Sequence, residues 1–210
     1  MQTANSRHSI NGLAEILNWM VSQGYEQSVL MSNTGIDDQR LQDPNSTVSP
    51  KEELTFYQNL IDVSKDKHII LKAGLNLKIS AYGMWGLALL SSPTFGKAIE
   101  LGLQYVDFTY TYNRIQLFTD NKQAGLRISK LSQLGMPLQQ HMIERDLSAI
   151  FVLFQALLQT PAPFDEIHLS LPKADPCFEA LFNCPVSFGY RENEVRFAAT
   201  LLGQALPQQN

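Results

Sequence analysis

The chain has 210 residues, of which 44% are hydrophobic and 17% charged, and its formal net charge is −4. This composition is typical of a folded globular protein and excludes an intrinsically disordered one. The acidic balance argues against DNA binding by this chain alone, because nucleic-acid binders usually carry a basic surplus or a basic stripe.

The N-terminal sequence lacks the charged and apolar regions of a signal peptide, and no apolar run reaches the ~18 residues that a membrane span requires. Cys177 and Cys184 have no nearby His or Cys with which to complete a zinc site. We therefore expect them to act as small buried hydrophobic residues in a reducing cytosol. The sequence predicts a cytoplasmic protein without a membrane segment or a metal site.

Local signals predict helices throughout the first half of the chain. Apolar residues at helical spacing begin at Ile10 and stop at Gly24, and a short second helix is expected over 26–34. A turn-rich connector follows over 35–45. Ser49 then caps a helix whose first residue is Pro50. The remaining expectations are disorder over 1–9 and a further helix over 69–79.

The stretch 81–108 is the most apolar part of the chain. No charged residue occurs between Lys78 and Lys97, so we expect this run to lie inside the domain. Ser92 is predicted to cap a second helix within it, with Pro93 at the first helical position.

After residue 104 the apolar period becomes that of β-strands. Three strands over 105–112, 115–119 and 124–129 are predicted to form an antiparallel meander with turns at 113–114 and 120–123. The longest helix is expected from Pro137 to Gln159, with Glu144 and Ser148 outside its apolar stripe. The last predicted elements are a strand over 164–171, a helix over 175–182, and a hairpin pairing 186–190 with 194–197.

Because helices precede strands, the sequence predicts an α+β fold: a helical N-terminal half followed by an antiparallel sheet packed against one long helix. We expect a single domain over residues 10–203. Residues 1–9 would be a disordered N-terminus, and residues 204–210 would begin a linker.

No catalytic or nucleotide-binding motif occurs in the sequence. It has no phosphate loop, no Gly-x-Gly-x-x-Gly after a strand, no Gly-x-Ser-x-Gly and no paired-histidine metal motif. The four histidines are widely separated and have no ligand spacing. We therefore expect no enzymatic activity, no metal and no other cofactor.

Aromatic residues are concentrated between residues 82 and 118. Aromatic walls with a few polar tips are typical of a small-molecule pocket, although the same residues would also fill a core between sheet and helix. His141 and Arg145 lie one helical turn apart, and with Arg127 they would either supply charge at a pocket mouth or form a solvated face. The candidate ligand-binding residues are Tyr82, Trp85, Tyr110, Tyr112, Arg127, His141 and Arg145.

Several segments, taken in order, match one family. They are LMSNTGI and LQDP at 30–36 and 41–44, YG and LLSSPTF at 82–83 and 89–95, IHL at 167–169, FNCPVSFG at 182–189, and LP at 206–207. Over residues 10–207 the chain resembles the N-terminal effector-binding (arabinose-binding-type) domain of AraC/XylS-family transcriptional regulators.

The resemblance implies a domain that binds a small effector, forms a homodimer and controls how a C-terminal helix-turn-helix module binds promoter DNA. That module would begin shortly after Asn210. Members of the family respond to chemically different effectors, and no residue motif carries one over to this chain. The fold is also similar to haem-based nitric-oxide sensors, but their Tyr-x-Ser-x-Arg motif is missing, so we expect no haem.

Two other hypotheses stay open at this point. One is a stand-alone small-molecule-binding protein or enzyme of α+β fold. The other is a dimerisation module with a filled core and no ligand. A catalytic constellation would favour an enzyme, whereas an interior without a pocket would favour the dimerisation module.

Overall fold

A computed structural model of the chain describes residues 7–120, 122–130 and 134–208. The helices of this part are α1 (Ile10–Ser22), α2 (Gln27–Leu30), α3 (Asp38–Gln42), α4 (Pro50–Val63), α5 (Ile69–Gly74), α6 (Gly83–Leu90), α7 (Phe95–Gln104), α8 (Leu138–Leu158) and α9 (Pro176–Phe182). The strands are β1 (His8–Ser9), β2 (Thr47–Val48), β3 (Asn113–Thr119), β4 (Gln123–Lys130), β5 (Glu166–Leu169), β6 (Val186–Phe188) and β7 (Asn193–Ala198). Short 3-10 turns occur at Ile79–Tyr82, Val106–Phe108 and Ala199–Gly203.

The long helix α8 lies between two hydrophobic cores. Met142 and Ala149 belong to the core of the N-terminal helices α1, α4 and α5, whereas Leu147 and Phe151 belong to the core formed with α7, α9 and the larger sheet. Because α8 is covered on both sides, every residue over 141–151 is buried. The predicted polar side of this helix, with Glu144 and Ser148, is therefore inside the protein.

The α+β class is confirmed, with the sheet in the C-terminal half. The larger sheet has the order β3-β4-β7-β5-β6, in which β5 and β6 are parallel and the other pairs are antiparallel. The predicted hairpin between 186–190 and 194–197 is wrong, because β6 pairs with β5 and β7 lies between β4 and β5. The strand predicted over 105–112 is also wrong: Val106–Phe108 is a 3-10 turn, and β3 begins at Asn113.

Local capping explains where the helices begin. The Ser49 hydroxyl accepts from the Glu52 amide at 3.3 Å, and the Glu52 carboxylate accepts from the Ser49 amide at 2.6 Å, as predicted for the start of α4. Helix α7 is capped by Thr94 and not by Ser92. The Ser92 hydroxyl instead donates to the carbonyl of Ala88 at 3.0 Å, which leaves it at the end of α6.

A short helix and two terminal segments differ from the expectations. Helix α3 forms within the predicted connector, because the Asp37 carboxylate caps it. Residues 1–6 lie outside the described residues, but β1 pairs with β2 and His8 is buried, so residues 8–9 belong to the fold. Leu206 is also buried, and Ala205 pairs with Thr94, so residues 205–206 pack on the body of the domain.

The apolar stretch 81–108 is only partly inside the domain. Met84 is 79% and Phe108 72% exposed, whereas Leu89, Phe95 and Ala98 are buried. Only one side of α6, with Gly86 and Leu89, is buried, so the expectation that the whole run is internal is wrong. None of the helices among the described residues is both long enough and apolar enough to cross a membrane.

Candidate functional site

A pocket of about 80 Å³ lies between α6, α7, α8 and the first two strands of the larger sheet. We call it the inner pocket. Its walls are mainly aliphatic, because α7 and α8 both turn apolar residues toward it. The aliphatic wall includes Leu89, Ala98, Ile99, Ala149, Ile150 and Leu153.

A surface groove of about 530 Å³, which we call the outer groove, adjoins the inner pocket. Tyr82, Trp85 and Tyr110 line both spaces. The ring centroids of Tyr82 and Trp85 are 5.2 Å apart, and those of Tyr82 and Tyr110 are 4.9 Å apart. These three rings therefore form the wall between pocket and groove. The exposed side chains of Met84 and Phe108 lie on the groove.

The backbone places this aromatic wall at the junction of two short elements. The 3-10 turn ends at Tyr82, and α6 begins at Gly83, whose φ of 55° is a conformation that favours glycine. The Tyr110 hydroxyl donates to the carbonyl of Ala81, and its ring lies against Gly12 of α1. The wall is thus attached to α1 and α6 at the same time.

One end of the inner pocket is polar, and its charges are paired. Arg145 is 1% exposed, and its Nη2 atom lies 2.9 Å from Oδ1 of Asp146. Its guanidinium also donates to the carbonyl of Tyr110 and, at 3.2 Å, to the hydroxyl of Tyr57. Burial lowers the pKa of Arg145, but Tyr57, Asp146 and Glu53 outweigh burial and raise the pKa above its ordinary value. Arg145 is therefore a buried cation with its donors engaged.

The second carboxylate near Arg145 comes from α4. Glu53 Oε1 lies 3.7 Å from Arg145 Nη1, and Glu53 Oε2 lies 2.6 Å from both His8 Nδ1 and the Tyr112 hydroxyl. Burial raises the pKa of Glu53, but His8, Arg145 and Tyr112 more than compensate, so the pKa lies below its ordinary value. The network joins β1, α4 and α8.

The remaining oxygen of Asp146 is bonded as well. Its Oδ2 atom accepts from the hydroxyl of Thr111 and, at 2.8 Å, from the side-chain amide of Asn113. The amide of Gln139 in turn donates to Oδ1 of Asn113 at 2.9 Å. Arg145, Asp146 and their partners at the polar end of the pocket thus satisfy one another, whereas the buried Oε1 atom of Gln139 has no hydrogen-bond partner in the described part of the protein.

Two donors of the pocket-lining side chains, the Tyr82 hydroxyl and Trp85 Nε1, are left over among the described residues. Trp85 Nε1 is among the few buried side-chain polar atoms without a hydrogen-bond partner in the described part of the protein, and it is the one that belongs to the inner pocket. A Cβ atom at Gly102, on the opposite wall, would lie 3.2 Å from Cζ2 on the Nε1-bearing side of the indole. Buried polar atoms are normally bonded, so this donor is a candidate contact for a ligand that displaces the side chains now covering it.

Four of the seven predicted site residues meet at the inner pocket: Tyr82, Trp85, Tyr110 and Arg145. Tyr112 lies behind Arg145, with the cation 5.6 Å from its ring. His141 is buried one turn earlier on α8, where its Nδ1 atom lies 3.3 Å from Glu144. A ligand-binding role for these residues stays a prediction.

Arg127 lies on the other face of the sheet. Its neighbours Leu126 and Ile128 are buried in the core, and successive residues of a strand point to opposite faces. Its side chain is 41% exposed and donates to Glu194 at 2.7 Å. Arg127 therefore does not supply charge to the inner pocket.

Sequence reasoning missed Asp146 and the aliphatic wall. Apolar residues of α7 and α8, such as Ile99 and Ile150, have the spacing of ordinary core residues, so nothing local marks them as pocket lining. Asp146 next to Arg145 was a visible signal, because two opposite charges within an apolar helix are uncommon unless they are buried together. No group of three or more His, Cys, Asp or Glu among the described residues is arranged to hold a metal ion.

Comparisons with known proteins all point to transcriptional regulators. The N-terminal arabinose-binding domain of AraC transcription regulators matches residues 24–206. An uncharacterized HTH-type transcriptional regulator of Mycobacterium tuberculosis is 23% identical over 98% of this chain and 61% of its own length. The ornithine utilization regulator of Pseudomonas aeruginosa is 27% identical over 57% of this chain and 35% of its own length. This chain thus spans about three fifths of the first relative.

A solved structure confirms the fold. The crystal structure of the transcriptional regulator CdpR from Pseudomonas aeruginosa matches 95% of this chain and 58% of its own, with a TM-score of 0.69 and 20% sequence identity. The family is one of regulator domains and not of enzymes. The match to the family model, over residues 24–206, covers most of the chain. It confirms the resemblance that the sequence segments between residues 30 and 207 indicated. The chain belongs to the N-terminal arabinose-binding domains of AraC transcription regulators.

Proposed function

We propose that this chain senses a small effector in the inner pocket and thereby controls a DNA-binding module that follows it in the full-length regulator. The observation that carries the proposal is the inner pocket itself: an apolar space between α6, α7, α8 and the larger sheet, with a buried unpartnered donor, Trp85 Nε1, and an aromatic wall shared with the outer groove. Concave, mainly apolar spaces with a few polar groups are the usual form of small-molecule sites.

The position of α7 supplies a route from the pocket to the C-terminal end. Ala98, Ile99 and Gly102 of α7 line the inner pocket, and the first turn of the same helix holds the segment 199–206. The Phe95 amide donates to the carbonyl of Gln204 at 2.9 Å. An effector that shifts α7 would therefore change how this segment is held, and it would act by favouring one of two arrangements of the regulator.

Three further parts of the proposal follow from the family. The DNA-binding module is a helix-turn-helix domain on the C-terminal side of this domain, the regulator is cytoplasmic, and it acts as a homodimer. The acidic charge of the chain agrees with a division of labour in which DNA is bound elsewhere. Sedimentation velocity of the domain tests self-association: we expect a dimer, and a monomer at all accessible concentrations would contradict it.

A thermal-shift screen tests effector binding. A compound that binds the folded state stabilises it by about 2.7 kcal/mol when present at a hundred times its Kd. We expect at least one compound from a panel of sugars, amino acids, fatty acids and neutral alkyl compounds to raise the melting temperature. Ala149→Leu, which fills the pocket from α8, should abolish the shift. Ala156→Leu is the matched control on the same helix, because Ala156 does not line the pocket.

The screen also separates the alternatives. If no compound raises the melting temperature, the domain is a dimerisation module and the proposal fails. If a shift persists in Ala149→Leu, the ligand binds elsewhere. Should Ala149→Leu fold poorly, Gly102→Ala narrows the same pocket from α7, where the added Cβ would lie 3.2 Å from Trp85 Cζ2 and 3.4 Å from Leu89 Cδ2.

A further inference from the structure

We propose that the effector is a predominantly apolar molecule with one neutral hydrogen-bond acceptor, such as a ketone, aldehyde or ester, and not a sugar or a charged amino acid. It would reach the inner pocket from the outer groove, with its acceptor on Trp85 Nε1. This inference rests on the proposed function and names the class of ligand for the same site.

The bonding of the polar end excludes a polyhydroxylated ligand. Arg145, Asp146 and Thr111 are bonded to one another and to the Tyr110 carbonyl, and the Tyr110 hydroxyl donates to Ala81. A sugar would bring several hydroxyl groups into a mainly aliphatic space whose unpaired side-chain donors, among the described residues, are Trp85 Nε1 and the Tyr82 hydroxyl. Each hydroxyl buried without a partner costs about 1–3 kcal/mol, so sugar binding there is unfavourable.

The charges of the site exclude an ionised ligand on similar grounds. The guanidinium of Arg145 is shared between Asp146, at 2.9 Å, and Glu53, at 3.7 Å. A ligand carboxylate would have to compete with two buried protein carboxylates for one cation. A ligand ammonium would need an oxygen of Asp146, but both oxygens already accept hydrogen bonds. Burial of an unpaired charge is far more costly than burial of a neutral group.

The volumes of the inner pocket and the outer groove indicate that the ligand is elongated. An engineered cavity of about 150 Å³ is known to hold benzene, so the inner pocket, at about 80 Å³, has room for only a short apolar segment. The outer groove, at about 530 Å³, lies within the range of ligand-binding clefts. A molecule that spans both would place its acceptor at the shared aromatic wall and its chain along the exposed apolar side chains of Met84 and Phe108.

Titration calorimetry with four probes tests the class. The probes are 2-nonanone, its acceptor-free analogue 1-nonene, nonanoate and L-arabinose. We expect 2-nonanone to bind most tightly, nonanoate to bind at least about tenfold more weakly because its carboxylate must be desolvated, and L-arabinose to give no signal. The protein concentration should be the same for every probe.

Substitution of the donor tests the role of Trp85. Trp85→Phe removes the indole N–H, and we expect affinity for 2-nonanone to fall about two- to tenfold, the usual worth of one hydrogen bond. Affinity for 1-nonene should change less, because it makes no such bond. Trp19→Phe is the matched control: Trp19 lies on α1, outside both spaces. A purely structural effect of Trp85→Phe would lower both affinities equally.

The outcomes distinguish this inference from the proposed function. If L-arabinose or L-ornithine binds and Ala149→Leu prevents it, the domain is a sensor but the ligand class is wrong. If nonanoate binds as tightly as 2-nonanone, the inference that the ligand's acceptor is neutral is wrong. If 2-nonanone does not bind while another compound gives a shift that depends on the pocket, only the ligand class is overturned. If no compound of any class binds, both proposals fail.

Discussion

Arg145 is the residue on which the interior of the molecule depends most. It lies in the middle of α8, with partners from α4, from the segment before β3 and from α8 itself. Such a buried cation is weak evidence for stability in itself, since apolar residues of the same volume are often as stable. Removal of Arg145, however, leaves two buried carboxylates, Glu53 and Asp146, without their common cation.

Arg145→Met should therefore be strongly destabilising. We expect the free energy of unfolding to fall by about 3–5 kcal/mol, because Glu53 and Asp146 lose their common cation. The matched control is Arg127→Met, which removes a half-exposed pair with Glu194 and should cost about 0–1 kcal/mol. Urea denaturation of the three proteins measures the difference. Equal losses in the two variants would contradict the description of Arg145 as a buried network residue.

At the scale of elements, Gly83 sets the angle between the 3-10 turn at Ile79–Tyr82 and α6. Its φ of 55° is one that side chains rarely adopt, and a Cβ there would meet nothing within 4 Å. Gly83→Ala should thus cost about 1–2 kcal/mol through backbone strain alone. The control is Gly203→Ala, where a Cβ also meets nothing and φ is ordinary. A neutral effect of Gly83→Ala in urea denaturation would show that the junction relaxes without strain.

The contact between α7 and the C-terminal segment is a second element-scale feature. A Cβ at Gly96 would lie 2.7 Å from the carbonyl oxygen of Leu202. Gly96→Ala should therefore displace residues 199–206, and we expect faster hydrogen exchange at the amides of Gln204 and Leu206. Exchange in α8 serves as the internal control and should not change. Unchanged exchange at both C-terminal amides would argue against α7 as the element that holds this segment.

Sequence reasoning succeeded where the determinants were local. Ser49 and Pro50 begin α4 as predicted, because capping depends on residues a few positions apart. It predicted the antiparallel pairing of β3 with β4 but not the rest of the sheet, since the pairing of β6 with β5 depends on β7 and other segments that lie apart in the chain. It identified the aromatic wall from density in the sequence. It could not find the partners of Arg145, because Glu53 reaches it only through the packing of α4 on α8.

At the scale of the whole molecule, paired carboxylates make the fold sensitive to acid. Arg40 lowers the pKa of Glu52 from 4.5 to about 2, and the pKa of the buried Glu53 is lowered as well. A carboxyl whose pKa is lower in the folded state stabilises the fold above its unfolded pKa and loses this contribution as the pH falls through the folded pKa. The domain should therefore be most stable above pH 4.5 and lose stability toward pH 2.

Glu53→Gln tests the origin of this acid sensitivity. We expect the variant to be less stable than the parent at neutral pH and to lose less free energy of unfolding between neutral and acid pH, since one shifted carboxyl is gone. Glu100→Gln is the control, because Glu100 forms an exposed pair with Lys97. Urea denaturation at a series of pH values gives, for each protein, the slope of the free energy of unfolding against pH. A Glu53→Gln slope identical to that of the parent would assign the acid transition to other groups.

The most direct measurement of ligand sensing uses the single tryptophan of the Trp19→Phe protein. The sequence contains two tryptophans, so Trp85 is then the sole indole fluorophore, and it lies on the wall between inner pocket and outer groove. Titration with 2-nonanone should give a saturable change in Trp85 emission that Ala149→Leu eliminates, whereas L-arabinose should leave the emission unchanged. A saturable response to L-arabinose, or a response to 2-nonanone that survives Ala149→Leu, would contradict an apolar effector site at the inner pocket.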